Sequence, residues 1–440
     1  MGEVVRVGML GCGNVGAAVA RMLHDHAEDV ARRAGAAIEV SRVAVRDPAK
    51  PRDVPVDAAR FTSDAGDIAI DPDVDVVVEV IGGVEPARTL LLAAMAAGKS
   101  VVTANKELLS THGGELFDAA VTAGVDVLYE ASVGGGIPLI RPIREHLAGD
   151  RVLKLTGILN GTTNYVLTRM AEDGSSLDDA IAEAQQLGYA EADPAADLDG
   201  HDAAAKAAIL ATIAFDIPVS ASDVHREGIA SLSADDIGFA RRLGYVLKPV
   251  AVAEAVGGGV SVQVHPAMLP REHPLASVRL SFNAVLIEGE RVGPLMLYGL
   301  GAGGDPTATS VVGDLIELAR ARAAAGAITH VGHASHGRGG AGAPDRPRRI
   351  VSIEELTARS YVLLEVADRS GVLATIAQCF AAHDVSIGQV LQEGRGGDAL
   401  LVLITHAAPE ASLQACFDDL RALESVRSVR STVRVEESEP

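Results

Sequence analysis

The sequence predicts an α/β protein in three parts: a Rossmann-type parallel-sheet nucleotide domain, an α+β middle domain and a C-terminal βαββαβ module of ferredoxin-like order. Three observations carry this reading. β-Branched runs alternate with Ala- and Leu-rich helical stretches between Val4 and Thr103, the alternation expected of βαβ units around a parallel sheet. The glycine turn GCGNVG lies directly between the first such run and a helical stretch. A Gly- and Pro-rich stretch near residue 340 sets off the last part of the chain.

Residues 1–148 form the nucleotide domain, with strands at 4–10, 38–45, 74–81 and 100–103 and a further one at 125–130. Gly134, Gly135, Gly136 and Pro138 then break the chain ahead of a helix at 139–147. Residues 149–305 mix strands at 152–159, 260–264 and 278–286 with an alanine-rich helix from His201 to Phe215, an α+β pattern. Residues 334–348, ASHGRGGAGAPDRPR, are dominated by Gly, Pro and charge and build no core, so the linker is set at 334–350. Beyond it, 361–367, 372–383, 385–392, 399–406, 409–423 and 426–435 read strand, helix, strand, strand, helix, strand, in a separate unit of residues 356–436.

Apolar residues make up 48% and charged residues 22% of the 440, the balance of a folded globular protein, and the length fits about three domains. The 38 basic against 59 acidic residues leave a net charge of −21, which repels phosphate polymers and anionic surfaces and argues against nucleic-acid and membrane partners. No uncharged run of about 18 apolar residues occurs, and no basic-then-apolar leader precedes the first strand; a cytoplasmic location is expected. Arg6 stands where N-myristoylation needs Ser or Thr. Cys12, Cys379 and Cys416 are far apart and lack metal-ligand spacing, which fits buried thiols in a reducing compartment.

In GCGNVG, Gly11, Gly13 and Gly16 close a strand and open a helix. Glycines there permit the tight turn and let backbone amides approach a pyrophosphate. The second strand ends at Val45, followed by Arg46 and Asp47. A basic residue suits a 2′-phosphate and an acidic one the ribose hydroxyls, so Arg46 favours NADP while Asp47 leaves NAD open. Lys106, in TANKE, lies just past the fourth strand's carboxyl end, where ligands bind open α/β sheets. Glu191, Asp193, Asp197, Asp199, Asp202 and Lys206 crowd into YAEADPAADLDGHDAAAK. Asp202 and Lys206 are four apart and share a helix face, and the following AAILATIAF must be buried, which puts Lys206 at the mouth of a core. A lysine so placed pairs with carboxylates or gives up its proton more readily. The carboxylates around it suit a small cationic, hydroxyl-bearing substrate. His330, His333 and His336 adjoin the linker without acidic or cysteine partners, so no metal role is assigned to them.

Taken with VVVEVIGG (76–83), VVTANKELLS (101–110), YEASVGGGIPLI (129–140), GILNGTTNYVLTRM (157–170), LGYAEADPAADLDGHDAAAK (187–206) and GAGGDPTATSVVGDL (301–315), the chain resembles homoserine dehydrogenases of the long form that carries a C-terminal ACT domain. The likeness covers most of residues 4–320. It implies NAD(P)-dependent interconversion of L-homoserine and L-aspartate 4-semialdehyde, a step toward threonine and methionine. Lys206 matches the catalytic lysine, and Lys106 the lysine that assists at the substrate hydroxyl beside the nicotinamide. Glu191 matches the ligand of the substrate amino group, with Asp197 and Asp202 completing a polar cradle. The resemblance places Gly11, Gly13, Asn14, Val15, Gly16, Arg46, Lys106 and Gly303 at the cofactor and returns 306–325 onto the first domain. It also implies a sodium ion held by Glu130 and the backbone oxygens of Val133, Gly135 and Ile137.

By the same likeness, the middle domain serves substrate binding and dimerisation in a homodimer or homotetramer. VADRSGVLATIAQCFAAHDVSIGQVLQ (366–392) resembles an ACT domain, in which Asp368 and Gly371 shape the turn where an amino-acid effector such as threonine binds; Ser370 and Gly388 depart from the usual pattern. A nucleotide-binding sensor without catalysis is disfavoured, because Lys106, Glu191, Asp197, Asp202 and Lys206 are all present. A dehydrogenase acting through an acyl-thioester needs a nucleophilic cysteine at the site. Cys12 lies in the phosphate turn and the other two cysteines lie in the C-terminal module.

Overall fold

A computed structural model describes residues 4–323, 349–394 and 397–436. His330, His333, His336 and all but the last two residues of the linker at 334–350 lie outside the described residues. In chain order the elements are β1 (Val4–Leu10), α1 (Asn14–Asp25), α2 (Ala27–Ala34), β2 (Ala37–Ala44), β3 (Phe61–Thr62), α3 (Ala65–Ile70), β4 (Val76–Glu79), α4 (Ala87–Ala96), β5 (Ser100–Thr103), α5 (Lys106–Ala123) and β6 (Val127–Leu128). Next come β7 (Val152–Ile158), α6 (Gly161–Asp173), α7 (Leu177–Gln186), α8 (Ala195–Leu198), α9 (His201–Phe215), β8 (His225–Arg226), α10 (Ala234–Arg242), β9 (Tyr245–Val256), β10 (Gly259–Pro270), β11 (Phe282–Gly289), β12 (Gly293–Leu300) and α11 (Gly304–Ala323). The last are β13 (Thr357–Ala367), α12 (Val372–Ala382), β14 (Ile387–Gly394), β15 (Asp398–Thr405), β16 (Ala408–Pro409), α13 (Glu410–Ala422) and β17 (Val426–Val435). The chain forms two compact units, Met1–Leu153 with Ala205–Asp223 and Glu288–Pro347, and Lys154–Ala204 with Val224–Ile287 and Arg348–Pro440.

The first unit holds a parallel sheet in the order β3-β2-β1-β4-β5-β6, the doubly wound arrangement of dinucleotide-binding domains. Val5, Val7 and Met9 of β1 and Val76 and Val78 of β4 pack against Ala18, Val19 and Leu23 of α1. Being covered by helices on its faces, such a sheet reads as continuous apolar runs. Ala308, Val311, Leu315 and Leu318 of α11 join the same core, so the helix that begins at Gly304 completes the nucleotide domain.

The helix expected at 139–147 forms with irregular pitch, π-helical over Pro142–His146 and 3-10 over Leu147–Gly149. Buried Glu130 caps its start. Its carboxylate accepts the amides of Leu139 (2.6 Å), Ile140 (2.8 Å) and Arg141 (3.0 Å), and Pro142 then brings no N–H to an α-helical ladder.

In the second unit the strand order runs β11-β7-β9-β10-β17-β13-β15-β14. β9 and β10 pair antiparallel from Gly259 opposite Val256 to Pro270 opposite Tyr245. The strands expected at 260–264 and 278–286 are Gly259–Pro270 and Phe282–Gly289. The C-terminal segment has an antiparallel sheet in the order β17-β13-β15-β14, the ferredoxin-like arrangement, with β16 as a short addition. The sequence sets this segment apart, yet β17 pairs in parallel with β10 at Ala267–Arg434 and Met268–Val435. One face of its sheet packs on Ile376, Phe380, Leu413 and Phe417 of α12 and α13. The other face, with Tyr361, Leu363 and Val402, shares a core with Tyr165 of α6, Ala184 of α7 and Phe239 of α10.

A buried charged cluster lies at this junction. Arg434 of β17 bonds Glu227 at 2.8 Å and Glu410 at 2.5 Å, and the His225 ring nitrogen lies 2.8 Å from Glu227. Burial opposes the Glu227 charge, but His225 and Arg434 outweigh it and hold this carboxyl down to about 2. Burial, with Arg434 nearby, pushes the His265 imidazole down to about 4 from an ordinary 6.5. The folded state therefore declines a proton that the unfolded chain accepts below 6.5, so stability is full above that pH and is lost as pH falls toward 4. Urea unfolding is expected to show a loss at His265 of about 2 kcal/mol between about pH 7 and pH 5, and His265→Gln is expected to flatten that dependence.

Candidate active site

The first unit supplies a phosphate cradle. The amide of Gly11 donates to the Ala44 carbonyl at 3.0 Å, fastening the turn to the end of β2. Gly11 has φ +105°, and a Cβ there would lie 2.8 Å from the Val80 carbonyl oxygen. A Cβ on Gly16 would lie 2.4 Å from the Gly11 oxygen, so any side chain at either position would close the turn. Gly13 is the N-cap of α1, Asn14 and Val15 begin the helix, and no acidic residue occupies its first turn, which leaves the positive helix end for an anion. Gly303, with φ +123°, precedes Gly304, whose Cβ position lies 3.0 Å from the Asn14 oxygen. Thus Gly303 and the Gly11–Gly16 turn come together.

Arg46 is exposed in the loop after β2. The Asp47 carboxylate instead turns back on its own loop and accepts the Ala49 amide at 3.0 Å. Arg52 binds the same loop through the Lys50 and Asp47 carbonyls at 2.8 and 3.0 Å and lies over the Phe61 ring at 5.3 Å. Burial pushes the Cys12 thiol up, against Arg52 and Arg21.

Lys106 is the first residue of α5, immediately after its N-cap Asn105. The Asn105 side chain accepts the Leu108 amide at 3.0 Å and donates to the Gly83 carbonyl at 2.7 Å. Its own amide donates to the Thr103 hydroxyl at 3.0 Å, and that hydroxyl donates to Glu79 at 2.5 Å. Glu79, fully buried, also accepts the amides of Ile81 and Gly82 at 2.9 and 3.0 Å. This chain of polar groups fixes the carboxyl ends of β4 and β5 and with them the start of α5. Lys206, on α9, is 8% exposed and stands among buried Ala203, Ala204, Ala205, Ala207 and Ala208.

The second unit supplies the carboxylates. Asn160, the N-cap of α6, donates to Asp197 at 2.7 Å and to Asp202 at 2.9 Å. Its oxygen accepts the Thr163 amide at 2.8 Å and the Thr163 hydroxyl at 2.9 Å. Glu191 is exposed, and its backbone oxygen takes the Gln185 side-chain amide at 3.1 Å. Asp193 caps Ala195 at 3.1 Å, and Asp199 is exposed. Asp202 and Lys206 lie one turn apart on α9.

At the expected cation position the Glu130 carboxylate is committed to the three amides given above. The Gly135 carbonyl accepts the Ser310 hydroxyl at 2.6 Å. A hard cation there would be met chiefly by carbonyl oxygens, including those of Val133 and Ile137. Asp314, which accepts the Glu130 amide at 3.0 Å and pairs with Arg141, is pushed up to about 8 by burial.

Asn160, Glu79, Thr103 and Asn105 were not singled out in the sequence. Their signal was present: each is a polar residue at the carboxyl end of an apolar strand or directly after it, where N-cap chemistry is expected.

A doubly wound sheet with a glycine cradle and a lysine at its carboxyl edge defines a nicotinamide-nucleotide-dependent oxidoreductase. Residues 138–316 match the family described as homoserine dehydrogenase, and residues 11–130 match the homoserine dehydrogenase NAD-binding domain. The homoserine dehydrogenase of Corynebacterium glutamicum is 44% identical over 99% of this chain and 96% of its own length. That of Mycobacterium tuberculosis is 45% identical over 98% of both chains. The crystal structure of a homoserine dehydrogenase from Thiobacillus denitrificans superposes with a TM-score of 0.91 at 39% identity, over 99% of this chain and 100% of that one. A hyperthermophilic archaeal homoserine dehydrogenase in complex with NADPH matches 72% of this chain and 97% of its own, with a TM-score of 0.61 at 28% identity.

The chain belongs to the homoserine dehydrogenase family and is an NAD(P)-dependent enzyme that interconverts L-homoserine and L-aspartate 4-semialdehyde. Among the described residues no helix is long and apolar enough to cross a membrane.

Asn160→Ala removes an N-cap and leaves two carboxylates without their shared donor. It is expected to lower stability by about 1–2 kcal/mol and to reduce kcat/KM for homoserine by about tenfold or more. Denaturation curves and steady-state kinetics on the same preparation check both.

Proposed function

We propose that Lys206 relays the hydroxyl proton of homoserine, that Lys106 assists at the same hydroxyl, and that the enzyme prefers NADP. One observation carries the reading: a lysine whose residue is 8% exposed, one helical turn from Asp202, whose carboxylate is oriented by Asn160. A lysine so buried, one turn from a carboxylate, is placed to exchange a proton with an alcohol oxygen. When bound, the nicotinamide takes a hydride from the carbinol carbon of homoserine or returns one to the semialdehyde. Glu191, Asp197 and Asp202 hold the substrate ammonium and fix its orientation, so that the reacting carbon is positioned before the chemical step. Lys106 opens α5 just past the carboxyl end of β5, where ligands bind open α/β sheets.

The Gly11–Gly16 turn, Asn14, Val15 and Gly303 fit a pyrophosphate, because side chains are sterically excluded at Gly11 and Gly16. Arg46 takes the 2′-phosphate. The inward commitment of Asp47 to the Ala49 amide supports this choice over NAD. Glu130, Val133, Gly135 and Ile137 are assigned to a sodium ion that stiffens the turn. The C-terminal segment is assigned as an ACT domain that takes an amino-acid effector such as threonine near Asp368 and Gly371, the latter at φ +92°. A homodimer or homotetramer and a cytoplasmic location complete the assignment, the latter supported by three free thiols.

Lys206→Ala is expected to lower kcat by about 10²- to 10⁴-fold while NADPH affinity, followed by fluorescence titration, stays within about twofold. Undiminished turnover would remove Lys206 from the mechanism. Arg46→Asp is expected to raise KM for NADP by about ten- to a hundredfold, the loss of one charge-assisted contact, with KM for NAD unchanged or lower. Parallel initial-rate assays with the two cofactors read this directly.

A further inference from the structure

We propose that Cys379, His383 and Asp419 form a zinc-type cation site that ties α12 to α13. Cys379 lies on α12 and His383 caps the end of that helix, four residues on, so both side chains share one face. Asp419 meets them from α13. A His383 ring nitrogen and the Asp419 carboxylate are 2.8 Å apart, and the sulfur, a ring nitrogen and a carboxylate oxygen all lie within 4.8 Å of one another. Tetrahedral zinc with bonds of about 2.0–2.3 Å sets neighbouring ligand atoms about 3.3–3.8 Å apart, so the His383–Asp419 pair, now 2.8 Å apart, opens by about 0.5 Å while the sulfur, within 4.8 Å of both, moves in by up to about 1 Å. Side-chain rotation supplies a movement of that size without moving either helix.

The donor set selects the metal. A thiolate with an imidazole favours zinc or cobalt over magnesium or calcium, which demand oxygen. Access is open: the side chains of His383 and Asp419 are 22% and 66% exposed, so an ion enters from solvent and keeps a water in its fourth position. Below the cluster the two helices already meet through Phe380, Cys416 and Phe417. The ion would add a second tie on their outer side. The Cys379 thiol makes a long contact, 3.7 Å, to the Cys416 carbonyl, and exchanging that contact for a metal bond sacrifices little.

The test uses the full-length protein, reduced and treated with chelator, titrated with cobalt(II). A thiolate-to-cobalt absorption in the near ultraviolet is expected to saturate at one equivalent per chain and to be displaced by zinc. It is expected to be absent in Cys379→Ser, at least tenfold weaker in apparent affinity in His383→Gln, and retained in Cys12→Ser. Homoserine oxidation by Cys379→Ser at the unsubstituted rate reports that this variant is folded. A band that survives Cys379→Ser, or a protein that shows none, overturns the proposal.

Discussion

The amide group of Asn160 donates one N–H to Asp197 and the other to Asp202, and its oxygen is taken up by Thr163 at the start of α6. Two carboxylates drawn together repel one another, and each loses hydration as the chain packs. A neutral donor that serves both lowers that cost. The arrangement holds only because Asn160 cannot rotate: its oxygen caps α6, and reversing the amide would leave the Thr163 amide facing N–H groups. Helix capping and the placing of the two carboxylates are here one interaction. Lys206 follows Asp202 by one turn of α9 and is buried.

Much of the nucleotide domain was legible because its signals are local. A strand, a glycine turn and an apolar helix follow one another within the first two dozen residues, and only glycine satisfies the approach of Gly16 to the Gly11 carbonyl. At 139–147 the helix was legible, but the remote contact that caps its start was not. Glu130 takes three amides nine to eleven residues away, and no periodicity encodes that. The middle sheet was half legible. β9 carries Lys248, Pro249 and Glu254 within its apolar run, which breaks the alternation by which a strand is recognised.

The candidate site divides in the same way. Lys206 was legible as a buried lysine, since a charged residue ahead of a helical stretch that is apolar but for Thr212 has few other places to go. Arg46 was legible only as one of two rival charges, and the Asp47–Ala49 contact of the folded loop could not be read from the sequence. Asn160 and the chain from Glu79 through Thr103 to Asn105 touch no expected ligand and act on groups distant in sequence. Such supporting residues have no motif of their own, although they determine where the motif residues point.

The shared sheet of the second unit carries a consequence for how this enzyme is divisible. Tyr361, Leu363 and Val402 of the C-terminal strands lie in one core with Tyr165, Ala184 and Phe239, and β17 continues the ladder of β10. Cutting the chain at the glycine-rich connection would therefore not release a self-sufficient catalytic half. It would strip the inner flank of three helices and leave β10 with an unpaired margin, the two features that most readily drive a protein to self-associate.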